Sequence, residues 1–164
     1  VNSGSGNQGM TVSLPVVQYA QYLGASQEQA YRALLLSNLT AIHQKAGIGR
    51  LSAYCGAVST AAGAGIAYLH GVDLPLIEQT LVNTLANVSG IVCDGAKPSC
   101  AAKIASCVEA ALLGYEMARR GRGFRGGDGI VKNTAEQTIQ SVGRLGKEGM
   151  KETDVEILHI MVGD

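Results

Sequence analysis

Between residues 55 and 71 the chain reads CGAVSTAAGAGIAYLHG, and no other stretch constrains its fold as tightly. The pattern is helical, yet Gly56, Gly63 and Gly65 interrupt it. Glycine inside a helix costs about 1 kcal/mol relative to alanine. Such a helix has to recover that loss, by close packing against neighbours or by lining a central site. A second segment, CAAKIASCVEAALLGYEMA at 100–118, is built from the same small residues. The sequence holds 22 glycines, no Trp and one Phe. The core must therefore be made of small and aliphatic side chains with backbones in close approach.

Helical periodicity runs through nearly the whole chain. It predicts helices over 14–23, 26–45, 51–69, 74–89, 98–120 and 134–146, and a short last one near 153. The start signals are Ser26 with Gln29, Asp73 ahead of Pro75, Pro98, Thr134 with Gln137, and Thr153 with Glu156. GIVC and EILHIMV are short apolar runs of either type. The expected fold is all-α: a single compact domain of about seven helices over 1–164, with Gly/Ala-rich helices at its centre.

Composition excludes several classes. The formal net charge is zero and only 16% of residues are charged, so no general attraction to nucleic acid or to an anionic membrane is expected. The apolar region 53–69 is broken by polar and small residues and reads as a buried helix, not a membrane span. No basic-then-apolar leader opens the sequence, which suggests a cytoplasmic protein, although a chain beginning at Val1 reads as a piece of something longer.

GSGNQG at 4–9 and GRGFRG at 121–126 both fit G-x-G-x-x-G. Neither has the strand before it or the acidic residue after it that a dinucleotide site requires. The first offers backbone N–H groups plus Ser5, Asn7 and Gln8 for a carboxylate or phosphate; composition alone favours a flexible tail. The arginines at 119, 120, 122 and 125 read as a solvated or anion-binding loop, with RNA binding as the minor alternative.

The four cysteines are 55, 93, 100 and 107. No C-x-x-C occurs, so zinc-knuckle and thioredoxin motifs are excluded, and disulfides are not expected in a cytosolic, core-rich chain. Cys107 sits among Ile104, Val108 and Ala111 and reads as core. Cys100 falls at the third position of a helix opened by Pro98, where N–H groups and the helix dipole favour a thiolate, helped by Lys97. Three thiolates from 55, 93 and 100 could converge on a metal group; buried inert cysteines are the equal alternative. His43 and His70, at helix ends, read as carbonyl partners.

GRLSAYCGAVSTAAGAGIAYLHG, NVSGIVCDGAKPSCAAKIA and GSGNQG resemble the serine dehydratase alpha-chain-like family, in the branch containing L-cysteine desulfidases. The resemblance covers essentially the whole chain, which looks like the C-terminal, all-α part of a longer member. It implies a [4Fe–4S] cluster on Cys55, Cys93 and Cys100. It also implies β-elimination of L-cysteine or L-serine to pyruvate and ammonia without pyridoxal phosphate. Ser5, Gly6, Asn7 and Gln8 then become substrate-binding residues, joined by Arg50 and Ser52, which equally suit helix capping. Asp94 and Lys97 would tune the cluster. The expected partners are a small amino acid and the missing N-terminal part of the same protein, and the Gly/Ala-rich surfaces are compatible with a homodimer. No general base is identifiable, so the catalytic residue is unassigned; if it lies in the missing N-terminal part, the fragment alone is inactive. The alternative is a cluster-free scaffold domain derived from such an enzyme.

Overall fold

The structure is a computed structural model and describes residues 1–49, 58, 60–93, 95 and 97–163. Among the described residues there are seven α-helices. They are α1 (Gly6–Tyr22), α2 (Gln27–Ile48), α3 (Ala62–Leu69), α4 (Leu74–Val88), α5 (Pro98–Arg119), α6 (Ala135–Arg144) and α7 (Lys151–Val162). The β structure among the described residues is a single bridge between Asn2 and Ser5. The all-α expectation holds.

Several starts follow their sequence signals. Ser26 and Gln29 close a reciprocal capping box on α2. Asp73 accepts from Leu76 N–H and caps α4, with Pro75 in the first turn. Thr134 accepts from Gln137 N–H at α6. Other boundaries differ. The first helix begins eight residues before the expected Leu14, so Pro15 lies inside it. The signal was hidden because Ser5 caps α1 from within the glycine loop, accepting from Gln8 N–H at 3.3 Å. Thr153 does not open α7 but lies within it, and a π-turn over Leu145–Gly149 joins α6 to α7. GIVC is irregular, whereas EILHIMV is helical. Of the helix expected over 51–69, residues 50–57 and 59 lie outside the described residues.

α1 and α2 run antiparallel, and the Ser37 hydroxyl donates to the Val12 carbonyl at 2.7 Å across the buried seam. α3 lies in the middle, against α1, α2, α4 and α5. Its glycines find their return in packing. A Cβ at Gly65 would stand 2.8 Å from Ala33 O and 2.9 Å from Val16 Cγ2. One at Gly63 would stand 3.2 Å from Ala111 Cβ. α2 and α6 cross at the glycines Gly47 and Gly143, where an added Cβ on Gly143 would lie 3.2 Å from the Gly47 backbone. Val12, Ala41, Ile48, Val58, Leu85 and Val142 fill the core at one end of the bundle. Ala64, Ile77, Leu81 and Tyr115 fill it at the other. Each large aliphatic side chain sealed in this way contributes about 1.5–3 kcal/mol.

Candidate functional site at the cysteine end

α4 ends at Val88 and α5 begins at Pro98, and the connection between them carries the cysteines. Pro98 has no N–H to lose at the first helical position, so the helix starts there and puts Cys100 in its first turn. The Cys100 N–H donates to the Lys97 carbonyl at 2.8 Å. Cys93, half-buried, folds back so that its Sγ lies 3.8 Å from Cys100 Sγ. A disulfide needs about 2.05 Å, so no disulfide joins the two. The two sulfurs are therefore close enough to serve one metal group. Gly95 makes the fold-back possible. Its φ is +93°, and an added Cβ there would run into the Met161 thioether of α7.

The structure brings together two of the three expected ligands. Cys55, Arg50, Ser52 and Asp94 lie outside the described residues, and among the described residues no group of three potential metal ligands forms. Val58, three residues after Cys55, packs beside Val12, Ala41 and Ile48. Lys97 is exposed immediately before α5. Cys107 is fully buried against Val88, Ala110 and Ile91. Burial pushes its thiol up to about 11, with a further contribution from Cys100. That group remains protonated and belongs to the core, as its sequence neighbours suggested.

The GSGNQG segment is not the flexible tail that its composition favours. Asn2 and Ser5 exchange backbone hydrogen bonds at 3.0 Å. The Asn2 side chain donates to Asn38 O at 3.2 Å and Asn38 Oδ1 at 3.1 Å. Gly9 lets the N-terminal strand of chain fold across it, since a Cβ there would lie 2.6 Å from Val1 N. Ser5 is engaged as the α1 cap, Gly6 is the first helical residue, and Asn7 O accepts from the Thr11 hydroxyl. Gln8 is different. Its side chain is 3% exposed, and among the described residues neither amide atom has a hydrogen-bond partner. Gln44 on α2 shows the same pattern at 2% exposure. An unsatisfied buried polar group costs about 1–3 kcal/mol. The sequence reading missed Gln44, although its signal was present: Ala33, Ser37, Ala41 and Ile48 form a buried helical stripe, and Gln44 and Lys45 are large polar residues on it.

The histidines do not serve carbonyls. His43 Nε2 meets Glu136 Oε2 at 2.7 Å, and His70 stacks on Tyr115 with ring centroids 4.8 Å apart. In the arginine loop, Arg119 and Arg120 both pair with Glu116. The loop itself is braced by Asn83, which accepts from Phe124 N–H and donates to Arg122 O.

The family model described as serine dehydratase alpha chain matches residues 1–159. The chain belongs to the serine dehydratase alpha chain family. Its relatives include UPF0597 proteins of Desulfitobacterium hafniense, 60% identical over 99% of this chain, and of Lachnoclostridium phytofermentans, 62% identical over 99%. A UPF0597 protein of Finegoldia magna is 52% identical over 99%. The chain spans only 38–39% of the length of these relatives. No solved structure matches it. Among the described residues, no helix is long and apolar enough to cross a membrane.

Proposed function

We propose that this chain is the cluster-bearing, C-terminal domain of a cytoplasmic iron–sulfur lyase that removes the β-substituent of L-cysteine or L-serine. The observation that carries the reading is the 3.8 Å approach of Cys93 and Cys100 in a member of this family. Cys55, Cys93 and Cys100 would hold a [4Fe–4S] group, and the pair of converging thiols fits that donor chemistry. When bound, the group supplies an iron without a protein thiolate, a Lewis acid for the substrate.

The chain's own residues have separate tasks. Ser5, Gly6, Asn7 and Gln8, with Arg50 and Ser52, bind the amino-acid end of the substrate. Asp94 and Lys97 adjust the charge around the thiolates. Cys107 seals the apolar floor below them. Loss of the α-proton and departure of sulfide or water leave an enamine that hydrolyses to pyruvate and ammonia. The base that takes the α-proton is assigned to the part of the longer relatives that this chain does not cover, so the isolated chain is inactive. Met10 and Leu14 on α1 and Tyr31, Leu35, Leu39 and Ile42 on α2 are exposed. An apolar face of that kind suits the remainder of the longer protein as its cover.

The test is iron and acid-labile sulfide analysis of the anaerobically purified full-length protein, followed by pyruvate assays with each amino acid. A brown, air-bleached protein that forms pyruvate is expected. Zinc or iron without sulfide overturns the cluster. A colourless protein that reconstitution leaves colourless identifies a scaffold domain instead.

A further inference from the structure

Gln8 on α1 and Gln44 on α2 are both buried, and among the described residues neither amide has a partner. The Ser37–Val12 hydrogen bond sets the register of the seam between the two helices. One turn back from Val12 is Gln8; one turn on from Ser37 is Ala41, and the next turn brings Gln44. At about 1.5 Å per residue, Gln44 lies only about 4–5 Å along the axis from the point opposite Gln8. Val12, Ala41 and Ile48 pack around the same place with Val58, three residues from Cys55. Lys45, 5% exposed, is buried on the adjoining position.

A primary amide carries two N–H donors and one carbonyl acceptor. Two such amides offer donors to a carboxylate and acceptors to an ammonium, without net charge. That is the complement of an amino-acid zwitterion. We propose that Gln44 joins Gln8 to form the anchor for the α-carboxylate and α-ammonium of a small neutral amino acid. Gln44 is thereby a substrate-binding residue that governs specificity. The inference rests on the amino-acid reading above and adds the second half of the anchor. A site built to hydrogen-bond a substrate group discriminates strongly against ligands that lack it, because its own polar groups are then left unpaired.

The experiment compares Gln44→Met and Gln44→Asn with the wild type in the full-length, anaerobically purified protein. Its probe is L-alanine, which has the zwitterion but no leaving group. In the wild type, L-alanine raises the Tm. In Gln44→Met that rise disappears, KM for the reacting amino acid increases by about tenfold or more, and iron content stays at the wild-type level. The Tm of ligand-free Gln44→Met does not fall, because an amide without partners holds nothing together. Gln44→Asn, which keeps the amide but shortens its reach, falls between the two in KM. A Gln44→Met protein that unfolds or loses Tm, or one with unchanged KM and an intact L-alanine response, overturns the proposal. Wild type without iron and sulfide defeats the lyase reading while the L-alanine shift still reports the anchor. Wild type with its cluster but no L-alanine shift defeats the anchor alone.

Discussion

At the end of the bundle where α1 finishes and α2 and α4 begin, polar groups find their partners inside the protein. Ser26 and Gln29 cap each other, Asp73 caps α4, and His70 lies between Tyr115 and Tyr19. An open hollow of about 470 Å³ lies there, lined by Tyr19, Tyr22, His70 and Tyr115 among others. At the opposite end, where α1 and α5 start and α2 and α4 stop, two buried amides have no partner among the described residues. The Cys93 and Cys100 sulfurs stand side by side there. One end is built for stability. The other carries a stability cost that a ligand or metal group would offset.

The largest expected break in this comparison comes from the thiols. Cys93→Ser or Cys100→Ser in the full-length protein should lose the iron and lower pyruvate formation by about 100-fold or more, since even groups outside a metal's ligand shell are worth 10- to 100-fold. His70→Ala, at the other end, should leave iron content at the wild-type level. Parallel metal analysis and pyruvate assays check both. Next comes the seam between the ends. Gly65→Ala should cost about 1–3 kcal/mol in urea unfolding, because its Cβ would press on the Ala33 carbonyl and Val16. Gly90→Ala, where an added Cβ meets nothing within 4 Å, should stay within about 0.5 kcal/mol.

A smaller effect separates Cys107 from its neighbours. Cys107→Ala should cost about 1 kcal/mol with iron unchanged. In the wild type this thiol should resist alkylation at pH 8, because it ionises only near 11. The sign of its pH dependence follows. The unfolded chain ionises at about 8.5 and the folded one higher, so stability falls as pH rises from about 8.5 toward 11. The smallest effect is at the exposed His43–Glu136 pair. His43 holds the Glu136 carboxyl below the usual range, with Gln140 assisting. Its contribution is present above the unfolded carboxylate value of about 4.3 and is lost as pH falls below it. Screening keeps it to about 0.5 kcal/mol or less, so Glu136→Gln should barely move an unfolding curve recorded at pH 7.

Much of the fold could be read from local chemistry. Caps at Ser26, Asp73 and Thr134 and prolines at helix starts act within one turn, so the sequence displays them directly. The start of α1 was concealed because its cap and its glycines served two purposes at once, helix entry and close approach to Val1. The site was half legible. The Cys93–Cys100 turn is local and announced itself through Pro98 and Gly95. Gln44 is a partner of Gln8 only through the antiparallel pairing of two helices, a relation that neither helix contains. His43 and His70 were misplaced for the same reason: Glu136 and Tyr115 lie far along the chain.

The crossing of α2 and α6 at Gly47 and Gly143 has an evolutionary corollary. Backbone there rests on backbone: a Cβ on Gly143 would press the Gly47 backbone back by a few tenths of an ångström, whereas one on Gly47 would meet Gly143 at ordinary van der Waals distance. Any such shift of α2 would carry Gln44 with it. Divergence is therefore more tightly constrained at Gly143 than at Gly47 or on the outer faces of both helices.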